Sequence, residues 1–265
     1  MDFLRHYLLA LQFFTRIPVT GRLALWVGYS PAMLRSSAAH FPGVGWLVGA
    51  LIAGFSALLL MVLPTSVYQP LVVAVLGTAG GVWLTGAFHE DGLADVADGL
   101  GGSPERERAL LIMKDSRVGA FGVLAVVLML LAKVSLLALI GSVSALAMCL
   151  GLFAAHVVSR TLPLVLIRAM PHVGDTATSK SKPLADQISR GSLAIAFLWS
   201  IGALALVYLA HNDINLIAPI LAAMLALLWM WRLFWRRLQG FTGDCLGATQ
   251  QVCELAFYLG LALTL

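Results

Sequence analysis

The sequence predicts an all-α integral membrane protein: a polytopic bundle of about seven transmembrane helices with an interfacial helix at the N-terminus. Three observations carry that expectation. Hydrophobic residues make up 60% of the 265 and charged residues only 11%, with a mean hydropathy of +0.91. The apolar residues gather into runs of about 18 or more, long enough to cross a hydrocarbon core of roughly 30 Å. The basic residues sit on one side of those runs, as basic residues beside cytoplasmic helix ends do.

Residues 3–14 are too few to span and carry Arg5 and His6, which fits a helix lying along the membrane surface. The run lacks a small-residue cleavage site, which argues against a removed signal peptide. Spans are expected at about 43–63, 68–88, 118–140, 145–167, 192–210, 214–231 and 247–265. Segments 1–40, 89–117, 168–190 and 232–246 hold four, four, four and three Lys or Arg, whereas 64–67, 141–144 and 211–213 hold none. The remaining two, Lys133 and Arg160, lie within spans. This partition puts the N-terminus and the long polar loops in the cytoplasm and the C-terminus outside, as expected of a cell inner-membrane protein with a cytoplasmic-side active site. It also accounts for the net charge of +4 without nucleic acid. No repeat or low-complexity linker divides the chain, so 1–265 reads as one membrane-embedded catalytic domain. Cys149, Cys245 and Cys253 form no metal-binding spacing and read as reduced and structural, the first and last within spans and Cys245 in a loop.

The first polar loop has a readable plan. A helix is expected to continue from the second span through Asp98 and to stop at Gly99–Gly102 in a left-handed cap. Ser103 then reads as an N-cap and Pro104 as the first position of a short helix over 104–115.

Charge is concentrated in this loop. Glu90, Asp91, Asp95 and Asp98 fall within nine residues. At about 100° per residue, Asp95 sits near +40° and Asp98 near −20° from Asp91, so the three aspartates share an arc of roughly 60°. Glu90 points about 100° away and is the weaker candidate. Like charges on one face at a membrane boundary need a countercharge, and Mg²⁺ suits them, since it takes few carboxylates and completes its shell with water and phosphate oxygens. Asp115 would close the site from the next helix, and Lys114 and Arg117 beside it would hold phosphate charge. Gly92 leaves room beside the metal for a bulky ligand.

The run His89–Gly99, followed by Ile112-Met-Lys-Asp-Ser-Arg-Val-Gly119, closely resembles the signature of the cobalamin synthase family, the adenosylcobinamide-GDP ribazoletransferases. Gly240-Phe-Thr-Gly-Asp-Cys-Leu-Gly-Ala248 is similar to the family's glycine-rich stretch, and Phe13–Pro18 and Phe41–Gly45 look like family positions. The resemblance implies an integral membrane enzyme of adenosylcobalamin (vitamin B12) biosynthesis. It would join adenosylcobinamide-GDP to α-ribazole, or its 5′-phosphate, release GMP and require Mg²⁺.

Phosphoryl transfer of that kind needs charge neutralisation and positioning more than covalent chemistry from the protein. The catalytic candidates are Asp91, Asp95, Asp98, Asp115 and Asp244, the first four also as metal ligands. Asp244 would orient the α-ribazole hydroxyl or bind the nucleotide. Lys114, Arg117, Lys133, Arg160, Thr242 and Gly243 are the substrate-binding candidates. For Lys133 and Arg160 the competing reading is an internal ion pair, such as Arg160 with Glu254. Membrane lipid is an expected partner, and a homo-oligomer is left open. The alternative functions are a CDP-alcohol phosphotransferase, whose Asp-Gly-x-x-Ala-Arg pattern lacks its arginine here, and a cation transporter, which would place its acids at mid-membrane.

Overall fold

The computed structural model describes residues 2–174 and 187–265. The expected loop over 168–190 therefore lies partly outside the described residues, including Lys180 and Lys182. The described residues fold into helices joined by short turns. These are α1 (Asp2–Phe14), α2 (Gly21–Val27), α3 (Pro31–Ser37), α4 (Phe41–Val62), α5 (Gln69–Thr85), α6 (Phe88–Gly102) and α7 (Arg106–Met113). There follow α8 (Ala120–Val143), α9 (Ala145–Thr161), α10 (Pro163–Ala169), α11 (Arg190–Ala210), α12 (Ile217–Arg237) and α13 (Gly243–Ala262).

Among the described residues, five helical stretches are long and apolar enough to cross a membrane: 31–62, 120–143, 145–169, 190–210 and 217–237. The bent pair α5–α6 makes a sixth if counted as one span. Helix α13 forms where a seventh was expected, but Asp244, Glu254 and its glutamines dilute its apolar character, and it lies inside the bundle. In α1, Leu9, Ala10, Leu11 and Phe14 are buried, while Phe3 and Leu4, nearer its N-terminal end, are exposed.

α9 is the central helix, buried at every residue from Gly151 to Thr161. α4 packs tightly against it because glycines remove the side chains between them. A Cβ on Gly49 would lie 2.9 Å from the Phe153 carbonyl oxygen, and one on Gly45 would run into that of His156. Small residues at helix crossings are how membrane helices gain dispersion contact where no hydrophobic drive exists. Leu128, Leu131, Leu225 and Leu228, on α8 and α12, point away from the bundle, as lipid-facing side chains would.

The plan expected for the first polar loop needs correction. The second span does not continue into the acidic helix. Gly86 (φ +69°) and Ala87 (φ +59°) are both left-handed, and the chain turns by 89° between α5 and α6. We read α5 as the crossing segment and α6 as lying across its end. The glycines at 99–102 do not stop α6 with a left-handed cap; it runs through Gly102 to an extended Ser103. The short helix starts at Arg106 rather than Pro104, because the Ser103 hydroxyl accepts the Glu105 amide and holds 103–105 in a turn. Cys245 is a buried residue of α13, not of a loop.

Three polar segments meet at one end of the bundle. Arg106 donates to the Leu238 carbonyl at 2.7 Å, and Arg237 donates to those of Ser103 and Leu100 at 2.7 and 3.1 Å. The Val173 amide donates to the Phe241 carbonyl, and the Phe241 amide to that of Pro171.

Candidate active site at the crossing of α6 and α13

Two glycines set the site. A Cβ on Gly92 would lie 2.8 Å from the Asp244 carbonyl oxygen and 3.1 Å from its Cα, so only glycine lets α6 and α13 cross there. Gly247 of α13 packs in turn on the backbone of His89. The room that Gly92 provides is thus taken by the backbone of α13 rather than left for a ligand. The crossing brings the first turn of α13, with Asp244, to the acidic face of α6.

Asp91 is exposed, Asp95 half-buried and Asp98 buried, so the face runs from solvent into the bundle. Burial is the largest influence on Asp95, and the charges of Asp244, Asp91 and Asp98 add to it; together they lift its carboxyl to about 7. Asp244 is also raised, by burial first, while the Thr242 hydroxyl that donates to its Oδ2 at 3.2 Å works against the rise. Thr242 is also the N-cap of α13, accepting the Cys245 amide, and Gly243 is the first residue of that helix.

Asp98 has further work. Its Oδ2 accepts the Gly119 amide at 2.7 Å and its Oδ1 that of Gly122 at 2.8 Å, so it holds the start of α8. Each oxygen keeps a second lone pair. Asp115 is held by Arg117, whose Nη2 and Nε reach its carboxylate at 2.6 and 3.0 Å and keep it down at about 2. Lys114 sits at the C-terminal end of α7 beside this exposed pair.

Glu90 is buried and leaves the acidic face. Its Oε1 accepts from Gln251 at 3.1 Å. Gln251 donates to Gln250, and Gln250 to Glu254 and Ser159, each at 2.9 Å. Glu254 also receives Tyr258 at 2.9 Å and pairs with Lys133 at 2.6 Å. The intramembrane ion pair therefore joins Lys133, not Arg160, to Glu254: α8 brings the lysine onto α13. Arg160 donates instead to its own helix, at the His156 carbonyl, 2.9 Å away. Sequence reasoning gave no role to Gln250, Tyr258, Ser159 or His89. The signal for the first two was polar residues at i, i+4, i+8 (250, 254, 258) on one stripe of an otherwise apolar helix.

Hard carboxylate oxygens gathered at one crossing match the ligand chemistry of Mg²⁺. Among the described residues no three acidic, histidine or cysteine side chains form a closed metal cage. That fits an ion held by one or two carboxylates, with water and substrate phosphate completing its shell.

The cobalamin-5-phosphate synthase family matches residues 6–262. An adenosylcobinamide-GDP ribazoletransferase of Albidiferax ferrireducens is 69% identical across 100% of this chain and 99% of its own length. The protein of that name from Polaromonas naphthalenivorans is 65% identical over the whole of both chains, and one from Vibrio cholerae is 42% identical over 96% of this chain and 91% of its own. No solved structure matches. A match over nearly the whole chain, with relatives this similar end to end, shows that the chain belongs to the cobalamin-5-phosphate synthase family.

Proposed function

We propose that this enzyme joins adenosylcobinamide-GDP to α-ribazole, or its 5′-phosphate, in the final steps of adenosylcobalamin biosynthesis. A ribose hydroxyl loses its proton and forms a new bond to the phosphorus on the corrinoid side. The bond from that phosphorus to the bridging oxygen breaks, and GMP leaves with the oxygen. The observation that carries the reading is the gathering of Asp91, Asp95 and Asp244 at one crossing, where burial and the neighbouring carboxylates lift Asp95 to about 7.

Asp95 with Asp91 or Asp244 would hold Mg²⁺, with Asp98 adjoining. The ion, when bound, neutralises pyrophosphate charge and the charge that develops on departing GMP. Asp244, on the first turn of α13, orients the attacking hydroxyl. Arg117, 86% exposed, swings from Asp115 to the phosphates.

The one-sided distribution of Lys and Arg supports a cytoplasmic location for this end of the bundle. The test of function is the purified protein with adenosylcobinamide-GDP, α-ribazole and Mg²⁺, reading GMP and adenosylcobalamin, with and without a chelator. GMP release in equal measure with adenosylcobalamin is expected. No transfer, or CMP release from a CDP-lipid plus an alcohol, would replace this reading with the phospholipid one.

A further inference from the structure

On the outward face of the bundle a groove of about 510 Å³ runs between α5 and α8. None of its lining residues belongs to the carboxylate site. Val75, Val82 and Trp83 of α5 line one side, and Leu130 and Val134 of α8 the other. Gly86 and Ala87 close one end, at the 89° turn into α6. At a rise of about 1.5 Å per residue, the α5 wall climbs about 16 Å from Val75 to Gly86. That is close to the depth of one leaflet in a hydrocarbon core of roughly 30 Å.

Among the described residues, Arg16 is the one charged group that lines the groove. It sits at the same end as the turn. Its backbone amide donates to the Leu84 carbonyl at 2.8 Å, which fixes it beside the end of α5. Its side chain lies over Gly86, where an added Cβ would stand 3.1 Å from the Arg16 Nε. The guanidinium is exposed, and no described carboxylate lies within ion-pairing distance of it. Trp83, also exposed, stands at this end, at the level where tryptophan rings favour the headgroup layer.

A furrow between two membrane-crossing helices faces hydrocarbon, and an acyl chain fills it with dispersion contact that a void would forfeit. Lipid tails are as apolar as leucine, so this packing alone selects no particular lipid. Arg16 does. A guanidinium at the membrane boundary needs a countercharge, and a phosphate diester matches its two-pronged fork. A zwitterionic headgroup brings its own ammonium and leaves the site at net +1. An anionic headgroup neutralises it. We propose that this groove binds one anionic phospholipid, with an acyl chain between α5 and α8 and the phosphate on Arg16. The site does not depend on the transfer reaction given above. Its ligand touches the Gly86–Ala87 turn, which sets the direction of the acidic helix α6.

The experiment is native mass spectrometry of the full chain released from detergent, with dioleoylphosphatidylglycerol and dioleoylphosphatidylethanolamine added in competition. One phosphatidylglycerol per chain should be retained, with a preference of about 5-fold, the worth of one basic residue against anionic lipid. Equal retention of the two lipids overturns the proposal, and this comparison needs no variant. Arg16→Gln should reduce phosphatidylglycerol to the level of phosphatidylethanolamine, and Arg16→Lys should keep part of the preference. Arg232→Gln, at an exposed arginine on α12, should change nothing. Equal losses in Arg16→Gln and Arg232→Gln would mean attraction to basic surface in general, and would overturn the site. Ala79→Trp fills the groove and should lower retention of both lipids. Unchanged retention in Ala79→Trp, or a dimer that this substitution dissolves, gives the groove to another occupant. Phosphatidylglycerol with a photoreactive acyl chain should label the segments 75–83 and 130–134, and labelling confined to other helices refutes the placement. Wild-type lipid retention in Arg16→Gln, together with a raised KM for adenosylcobinamide-GDP, would assign the arginine to substrate phosphate instead.

Discussion

Helix α13 carries one carboxylate on its first turn and one at mid-helix, and the two are treated in opposite ways. Glu254 is almost fully buried and compensated on every side: Lys133 at 2.6 Å, Tyr258 and Gln250 at 2.9 Å. Asp244, half-buried on the first turn, accepts the Thr242 hydroxyl and otherwise faces Asp91 and Asp95. Both acids are expensive to place where they are. The fold itself supplies the countercharge for Glu254, which therefore ties α8 and α13 together. Among the described residues, the charged groups facing Asp244 are other carboxylates. Charges satisfied within the bundle hold helices; charges gathered unsatisfied mark where chemistry is done.

This contrast predicts a clean separation of phenotypes. Asp95→Asn and Asp244→Asn should each lower turnover by at least about 10³-fold, the upper range for loss of one group that stabilises transition-state charge, while thermal unfolding is unchanged or improved by relief of repulsion. Asp98→Asn should damage both activity and stability, since its amide NH₂ would face the Gly119 or Gly122 amide that the carboxylate now accepts. Glu90→Gln should do less to turnover than any of them. Steady-state rates and melting curves on the four variants measure this; loss at Glu90 equal to that at Asp95 would move the site off the α6 face.

At the compensated end the effect should be on folding. Lys133→Ala leaves Glu254 as an unpaired buried charge and should cost about 3–5 kcal/mol, with much recovered when Glu254→Gln is added. Denaturation of the single and double variants in detergent tests it. Wild-type stability combined with lost turnover in Lys133→Ala would return Lys133 to a role on the substrate.

Arg117 stands between the two cases. It is exposed, and its guanidinium fork grips Asp115 rather than lying against the carboxylate crossing. Arg117→Ala should reduce turnover on the order of 10²-fold if the fork transfers to phosphate, and Arg117→Lys by less, because the charge stays while the two-pronged geometry is lost. Unchanged turnover in Arg117→Ala would leave the residue as a membrane-surface anchor.

Much of this was legible in the sequence, for identifiable reasons. Transmembrane helices announce themselves by length and apolarity, so the elements appear close to where they were expected. The clustering of Asp91, Asp95 and Asp98 follows from helical spacing alone. What could not be read depends on contacts distant in sequence or on backbone angles that leave no compositional trace. The 89° turn uses Gly86, a plausible left-handed residue, but also Ala87, which nothing singles out. The capping of α8 by Asp98 and the choice of Lys133 over Arg160 as partner of Glu254 are decided by packing of helices far apart in the chain. The glycine crossing of Gly92 with Asp244 was anticipated as open space, because sequence gives no hint that another helix occupies it.

The smallest expected effect separates two aspartates by pH. Asp115 is held down at about 2 by Arg117, so it is ionised throughout the neutral range in both the folded and unfolded chain. Asp95 stands at about 7 in the fold, against 3.8 for the unperturbed group. Between those values the folded protein binds more protons than the unfolded chain, so metal-free stability should fall as pH rises from about 4 to about 7 and then level off. Mg²⁺ binds the ionised carboxylate and must displace that proton below about pH 7. The rise in melting temperature on adding Mg²⁺ should therefore grow from about pH 5 to about pH 8 and be largest above Asp95's value. Asp95→Asn should flatten both slopes, and a variant at Asp115 should leave them as they are. Melting curves at several pH values, with and without millimolar Mg²⁺, read this directly. A Mg²⁺ shift that is constant across the range would mean that the ion does not bind at Asp95.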